Sequence, residues 1–235
     1  TIVTELSSGA FGRIILASLR ATQELFIIKR VPYVNPDKKK QADDEVALLK
    51  LAQSKYTVRL IEQFVDRIDL CIVMEYCTGG NLRQFIDKMK TWSSRDRKIR
   101  TYRFVFQILT ALDHLHSLGI IHRDMKPENV FVDKDGNAKT GDYGLAQKLQ
   151  DKTYLRAAGT RIYAPPEAHR QNKMTTASDI YSVGVIALEM LTARHPFEGK
   201  TIDETINNIV KGKMWPLPDY INKDFQQMIM DMLDL

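Results

Sequence analysis

Three polar residues in the middle of the chain, Asp124, Asn129 and Asp142, have the side chains that a phosphoryl transfer requires. Such a reaction needs a carboxylate that receives the proton of the attacking hydroxyl, together with hard oxygen ligands for Mg²⁺. The carboxylate of Asp124 suits the first task. The amide oxygen of Asn129 and the carboxylate of Asp142 suit the second, so we expect the three side chains to surround one small volume.

The two motifs that contain these residues follow each other closely. The first is His-Arg-Asp-Met-Lys-Pro-Glu-Asn at 122–129, and the second is Asp-Tyr-Gly at 142–144. An apolar run at 130–132 and a Lys-Asp-Gly-Asn sequence at 134–137 separate them, which predicts a β-hairpin. A solvated acidic loop is the alternative, but it leaves both the order of the eight residues and the second motif unexplained.

A phosphate-binding segment is indicated near the amino terminus. Apolar runs predict three strands of an antiparallel sheet, within 2–6, 14–16 and 25–29. Gly9 and Gly12 lie between the first two strands, where their backbones can approach phosphate oxygens without a side chain in the way. Lys29 on the third strand can hold phosphates as a point charge. Turn glycines and exposed strand lysines are common by themselves, but the motif at 122–129 favours the phosphate-binding interpretation.

The rest of the chain predicts a mostly helical second part. Helical spacing of apolar residues occurs at 38–53, 100–118, 178–193, 203–211 and 224–234, with one more helix starting at Leu82. Two further strands are predicted, at 60–65 and 70–76. A loop follows the last strand and interrupts the pattern. We therefore place a hinge at about 75–79, between lobes at 1–76 and 77–235.

Composition limits the class of protein. The chain has 235 residues, of which 44% are hydrophobic and 27% charged, as in a globular protein of one large domain or two lobes. No apolar run approaches the roughly 20 residues that cross a bilayer, and the first residues do not resemble a signal peptide. Cys71 and Cys77 are the only cysteines, which predicts no disulfide framework and an intracellular, cytoplasmic location.

The net charge of +5 raises nucleic-acid binding as an alternative function. The basic residues, such as the run at 38–40 and those from Arg95 to Arg103, lie near acids and on predicted helices. Solvated helix faces are therefore favoured over an interaction module for nucleic acid. We expect no DNA or RNA partner and no membrane partner.

With its two central motifs, the chain resembles the eukaryotic protein kinases. Lys126, two residues after Asp124, and Gly159-Thr160 before Tyr-Ala-Pro-Pro-Glu at 163–167 resemble the serine/threonine branch. Asn-Val-Phe-Val-Asp at 129–133, with a glycine just before Asp142, is similar to the NIMA-related (NEK) kinases. The resemblance covers essentially the whole chain. It implies an α+β, bilobal protein-kinase fold, in which a small antiparallel β-sheet lobe carries one helix and the larger lobe is mainly helical.

The resemblance implies ATP and Mg²⁺ as cofactors and the hydroxyls of protein serine or threonine as acceptors. Asp124 would orient and deprotonate the hydroxyl, and Lys126 would stabilise the transferring charge. Lys29, held by Glu45, would position the phosphates, while the metal ligands would be Asn129 and Asp142. The nucleotide-binding residues implied are Ser7, Ser8, Gly9, Gly12, Ile14, Ile27, Lys29, Met74, Glu75, Cys77 and Phe131.

Within that set, the resemblance places the adenine ring between Ile14 and Ile27 above and Phe131 below. Met74 would guard the back of this pocket. Backbone groups of Glu75 and Cys77 would meet the edge of the ring.

Four residues depart from the family pattern. They are Ser7 for the first loop glycine, Ile27 for a small alanine, Tyr143 for phenylalanine and Pro165 for alanine. A buried Tyr143 would need a hydrogen-bond partner for its hydroxyl. The chain also ends before the arginine that pairs with the residue matching Glu167, so we expect a trimmed kinase domain. Because Ser7 and Ile27 alter the nucleotide pocket, a pseudokinase that binds nucleotide and acts as a scaffold is the alternative function.

The resemblance also suggests how the activity is controlled and how substrates are chosen. Arg123 is of the kind that captures a phosphate on the activation loop. Arg156 occupies the usual phosphorylation position, so we expect either phosphorylation at Thr153 or activity that needs no loop phosphate. Asp179 would brace the backbone of the catalytic loop.

Kinases that favour arginine upstream of the target present two carboxylates toward it. This chain keeps Glu128 but has Asn81 at the other position, with Arg83 close behind. A neutral amide cannot pair with guanidinium as a carboxylate does, and Arg83 would repel it. We therefore expect only a weak preference for upstream arginine.

Overall fold

The amino-terminal part of the protein is a five-stranded antiparallel sheet. The structure is a computed structural model that describes residues 1–9, 12–149 and 154–234, and at Ser8 and Gly9 it describes only the backbone. The strands are β1 (Ile2–Gly9), β2 (Gly12–Ser18), β3 (Leu25–Pro32), β4 (Leu60–Asp66) and β5 (Asp69–Glu75). They pair in the order β1-β2-β3-β5-β4. The three strands predicted before residue 30 and the two after residue 60 are confirmed.

One helix, α1 (Pro36–Leu51), follows the third strand. The side chain of Asn35 accepts a hydrogen bond from the Lys38 amide, and Pro36 fits the first helical position because it needs no backbone donor there. These two residues start the helix before the predicted position at residue 38. Its buried stripe is the one expected from the spacing, namely Ala42, Val46 and Leu49.

The carboxyl-terminal part is mostly helical. Its helices are α2 (Leu82–Met89), α3 (Ser94–Ser117), α4 (Pro166–Gln171), α5 (Thr176–Thr192), α6 (Ile202–Val210) and α7 (Lys223–Leu233). Short strands join them as three antiparallel pairs, β6 (Ile120–Ile121) with β9 (Gln147–Lys148), β7 (Val130–Val132) with β8 (Ala138–Thr140), and β10 (Leu155–Arg156) with β11 (Lys173–Met174). Two 3₁₀ turns, at Pro127–Asn129 and Arg161–Tyr163, lie in the segments that carry the motifs.

The core of this lobe lies around α5, which is buried over most of its length and packs against α3 and α7. Two helix starts differ from the prediction. The α3 helix starts at Ser94 rather than Arg100, because its first turns are charged and lack an apolar stripe, while the side chain of Ser93 caps them by accepting from the Asp96 amide. The α5 helix starts at Thr176 rather than Ser178, because Thr175 and Ser178 form a capping box.

The hairpin predicted between the two central motifs is confirmed. Val130 pairs with Thr140 and Val132 with Ala138. Asp133 shapes the turn by accepting hydrogen bonds from the amides of Asp135 and Asn137.

A sheet lobe with one helix and a larger helical lobe together confirm the α+β, bilobal fold. Among the described residues, no helix combines the length and the apolar character needed to cross a membrane.

Candidate active site

A buried lysine bonds carboxylates from both lobes. Lys29 lies on β3, and its Nζ is 2.7 Å from Oε1 of Glu45 on α1 and 3.3 Å from Oδ1 of Asp142. Burial lowers the pKa of Lys29, but the two carboxylates raise it more, so the pKa lies above its ordinary value. The amine therefore stays charged at neutral pH, where a cation can hold phosphate oxygens.

The Asp142 carboxylate is held in a turn that leaves it accessible. Its backbone has a left-handed φ of 58°, and the side chain is half exposed. Burial raises the pKa of the carboxyl, but Lys29 and His122 lower it more, so the pKa lies below its ordinary value. An ionised, accessible carboxylate suits a Mg²⁺ ligand.

Tyr143 anchors the same turn in the core. Its ring is almost fully buried, and its hydroxyl lies 3.0 Å from Oγ1 of Thr140 and donates to the Thr140 carbonyl at 3.2 Å. Burial raises the pKa of the phenol above its ordinary value, so it remains neutral. The expected partner for this buried hydroxyl is therefore present, which explains how the turn accepts tyrosine.

The side chain of Asp124 is surrounded by donors. Nζ of Lys126 lies 2.8 Å from Oδ2 of Asp124 and also 2.8 Å from Oγ1 of Thr160. The Thr160 amide donates to Oδ1 at 2.7 Å, and Nδ2 of Asn129 donates to Oδ2 at 3.0 Å. Gly159 permits this approach, because its φ is +89° and any side chain there would collide with the Arg123 carbonyl.

The Asn129 amide is oriented by this contact. Nδ2 donates to both the carbonyl and the carboxylate of Asp124. Within the described residues no donor bonds its Oδ1, so this oxygen is left for a cation. The Gly141 amide donates to the Asn129 carbonyl at 2.9 Å and joins the turn of Asp142 to this loop. Two oxygen ligands from the protein fit Mg²⁺, which takes its other ligands from water and phosphate.

The buried Asp179 holds the backbone of the motif at 122–129, as the resemblance implied. Oδ2 of the buried Asp179 accepts from the His122 amide, and Oδ1 accepts from the Arg123 amide, both at 2.9 Å. His116 Nε2 lies 2.9 Å from Oδ2. Arg123 has a left-handed φ of 66°, which is unusual for a residue other than glycine. The carboxylate of Asp179 therefore holds a strained backbone immediately before Asp124.

Four of the predicted nucleotide-binding residues share one face of the sheet. Ile27 and Lys29 lie two apart on β3, and the strand register places Ile14 opposite Lys29 and Met74 opposite Ile27. Ile14, Ile27 and Met74 are half-buried, so an apolar surface adjoins the amine. Phe131, also half-buried, lies on β7 of the other lobe.

At the predicted hinge, only some backbone groups remain for adenine. The Glu75 amide donates to the Arg59 carbonyl at 3.0 Å, and the Cys77 carbonyl accepts from the Gly80 amide at 3.1 Å. In the described part of the chain, no loop or turn hydrogen bond engages the Glu75 carbonyl or the Cys77 amide, so these two groups can meet the ring. The Cys77 side chain is buried, which raises its pKa to about 12 and keeps the thiol neutral.

The glycine loop is described only at its ends. Ser7 pairs with Ile14, Ser8 with Arg13 and Gly9 with Gly12 across β1 and β2. Gly12 has a φ of +108°, and a side chain there would collide with the Arg30 carbonyl on β3, so this position requires glycine. The tip between Gly9 and Gly12 lies outside the described residues.

Arg83 makes contacts that the sequence did not predict. Its Nε lies 2.8 Å from Oε1 of Glu128, its Nη1 lies 2.5 Å from Oε1 of Glu189, and its Nη2 donates to the Tyr163 hydroxyl. The Tyr163 hydroxyl in turn donates to Oε2 of Glu189 at 2.6 Å. We call these four residues the Arg83 cluster. Arg83 therefore neutralises Glu128 as well as adding a positive charge, which the prediction of simple repulsion overlooked.

One sequence signal for this cluster was available. Glu189 is the only charged residue between Ile180 and Thr192, a stretch that is otherwise apolar or small. A carboxylate inside a buried apolar helix needs a charged or hydrogen-bonding partner. Asn81 has a local role, because its side chain accepts from the Gln84 amide at 3.0 Å and caps α2.

Arg123 donates to backbone carbonyls in the segment that follows Asp142. Its Nε donates to the Leu145 carbonyl at 2.8 Å and its Nη1 to the Arg156 carbonyl at 3.2 Å. Thr153, the alternative phosphorylation position, lies outside the described residues. Whether a loop phosphate is needed stays a prediction.

A two-lobed fold with these polar groups at the boundary of the lobes is that of a protein kinase. The sequence profile of the protein kinase domain matches residues 1–235. The chain therefore belongs to the protein kinase family, which confirms the class that its motifs predicted.

The curated relatives it matches include several NEK kinases. The chain is 32% identical to the serine/threonine-protein kinase Nek5 of Mus musculus, over 97% of this chain and 36% of that protein. It is 31% identical to Nek3 of Mus musculus, over 99% of this chain and 45% of that protein. It is also 31% identical to the probable serine/threonine-protein kinase nek2 of Dictyostelium discoideum, over 100% of this chain and 58% of that protein. The chain thus spans less than two thirds of the length of these relatives.

Proposed function

We propose that this domain is an active serine/threonine protein kinase, which transfers the γ-phosphate of ATP to hydroxyls of protein substrates with Mg²⁺. The observation that carries this proposal is the position of Lys126, whose Nζ lies 2.8 Å from both Asp124 and Thr160. These three side chains form an assembled acceptor site beside Asn129. The serine/threonine relatives are consistent with it.

In this mechanism each residue has one task. Bound ATP with Mg²⁺ supplies the transferable phosphoryl group and the positive charge that neutralises its oxygens. Asp124 orients the acceptor hydroxyl and takes its proton, and Lys126 stabilises the negative charge that develops nearby. Lys29, fixed by Glu45, holds phosphate oxygens. Positioning and electrostatics thus supply most of the rate enhancement.

A pseudokinase remains the second candidate because of Ile27. This side chain lies on the same face as Lys29, where its bulk narrows the space for adenine. Every polar group needed for transfer is nevertheless present in this chain, which favours the active enzyme.

We also propose an intracellular location, which is supported by Cys71 and Cys77, since both are buried and unpaired.

A phosphotransfer assay separates these functions. The domain is incubated with Mg²⁺ and γ-labelled ATP on a generic protein substrate, beside an Asp124→Asn control of the same shape. We expect transfer by the wild type and a loss of about 10²–10⁴-fold in the variant. A folded wild type that binds ATP without transfer would instead be a pseudokinase, and one that binds nucleic acid but no ATP would be an interaction module.

A further inference from the structure

We propose that Arg83 is a specificity-determining residue whose guanidinium fills an acidic subsite of the domain, formed by Glu128 and Glu189, and so excludes basic residues of the peptide substrate from it. This inference rests on the proposed kinase function and names the class of substrate that the site selects. Peptides without a basic side chain at this subsite are the preferred substrates.

The Arg83 cluster adjoins the acceptor site. Glu128 lies two residues after Lys126 in the 3₁₀ turn Pro127–Asn129, and Tyr163 lies three residues after Thr160. Lys126 and Thr160 both bond the Asp124 carboxylate. Two residues span at most about 7 Å of backbone, so the residues on either side of the acceptor hydroxyl of a bound peptide can reach this cluster.

Side chains of the protein accept hydrogen bonds from the Arg83 guanidinium. Each of its three nitrogens bonds a cluster member, namely Glu128, Glu189 and Tyr163. A planar cation with several fixed donors pairs better with carboxylates than an ammonium does, so an incoming lysine or arginine does not displace it easily. Burial raises the pKa of Tyr163, as does Glu189, so the phenol adds no negative charge.

The cluster is nevertheless open to a peptide on one side. Arg83 and Glu128 are each about one third exposed or more, whereas Glu189 and Tyr163 are buried. The buried hydrogen bond between Tyr163 and Glu189 does not involve Arg83 and can persist without it. Removing the guanidinium would leave the accessible carboxylate of Glu128 and Oε1 of the buried Glu189 without their partner, so a guanidinium from a peptide can take the place of Arg83.

An arginine scan of a serine peptide tests whether Arg83 excludes basic residues from the subsite. Arginine is placed in turn at positions on both sides of the serine, and kcat/KM of each peptide is divided by that of its alanine counterpart. Wild type is compared with Arg83→Met, which keeps much of the apolar stem, and with Arg83→Lys, which keeps the charge. We expect ratios near or below one for wild type and for Arg83→Lys, and a gain of roughly 10-fold at one position for Arg83→Met.

The double variant Arg83→Met with Glu128→Gln locates the gain. We expect it to remove most of the increase, because the peptide arginine loses one carboxylate. A dominant arginine requirement in the wild type would overturn the proposal. So would no gain at any position in folded Arg83→Met, or a gain that survives Glu128→Gln.

Two further measurements cover the cases in which Arg83→Met does not fold or the wild type transfers no phosphate. If Arg83→Met does not fold, Glu128→Gln is made alone, and the arginine ratios should stay unchanged, since Glu128 is already paired. A several-fold drop would show that Glu128 serves the substrate, against the proposal. If the wild type binds ATP but transfers no phosphate, the proposed function fails separately, and fluorescence anisotropy of the labelled peptides reads the same preference as affinity.

Discussion

Lys29 and Arg83 occupy similar settings in the two lobes, since each cation bonds two carboxylates, one shielded and one accessible. The side chain of Glu45 is 13% exposed and that of Asp142 50%. The corresponding values are 8% for Glu189 and 42% for Glu128. The charge pattern is the same at both sites, but their chemistry differs.

The difference lies in the shape of the cation. Lys29 is a point charge on a strand, next to the apolar face of Ile14 and Ile27. Its accessible partner Asp142 can exchange that bond for a metal ion. Arg83 has a planar fork, which also donates to the Tyr163 hydroxyl. The lysine that can bind a ligand and the arginine that fills its own acidic subsite thus differ in donor geometry more than in net charge.

Removal of the accessible carboxylate beside Lys29 should have the largest effect. We expect Asp142→Ala to lower phosphotransfer by about 10³-fold or more while the domain stays folded, because the loss of a metal ligand removes charge stabilisation of the transition state. The control is Asp66→Ala, which removes another carboxylate bonded to a β3 cation, Arg30, and should leave transfer unchanged. Turnover by folded Asp142→Ala at saturating Mg²⁺ would contradict the role of Asp142.

The apolar face beside Lys29 gives a smaller effect. Ile27→Ala should change the affinity for ATP several-fold, and the sign depends on whether relief of overpacking exceeds the lost contact. Ile28→Ala is the matched control, since this half-buried neighbour points to the opposite face of β3. Calorimetric titration with ATP and Mg²⁺ measures both. An unchanged affinity for Ile27→Ala would show that Ile27 does not line the nucleotide site.

The smallest effect concerns the anchor behind Asp142. Tyr143→Phe removes a hydroxyl that bonds Thr140 and should cost about 1 kcal/mol, which lowers the melting temperature by roughly 2–4 °C for a domain of this size. Phosphotransfer should be retained, because phenylalanine fills the same space. Differential scanning calorimetry checks the shift. An unchanged melting temperature would mean that the hydrogen bond contributes nothing net.

The sequence predicted the groups whose chemistry demands a residue type, and it missed those that depend on tertiary placement. Asp124 and Asn129 stand in one short motif, so their contact could be expected from their spacing. Arg83 and Glu189 lie 106 positions apart, and their pairing needs α2 to lie against α5. The start of α3 was missed for another reason, since a charged, capped first turn has no apolar period to detect.

The contrast between the two cations is tested most directly by ATP affinity in paired variants. Lys29→Gln and Arg83→Gln each replace a cation by a neutral amide, and calorimetric titration with ATP and Mg²⁺ measures both, after circular dichroism has shown that each variant is folded. We predict that Lys29→Gln weakens ATP binding by roughly 10-fold or more, because a phosphate loses a charged donor, while Arg83→Gln leaves it unchanged. Equal losses in the two variants, or unchanged affinity for Lys29→Gln, would contradict a phosphate-binding role that belongs to Lys29 alone.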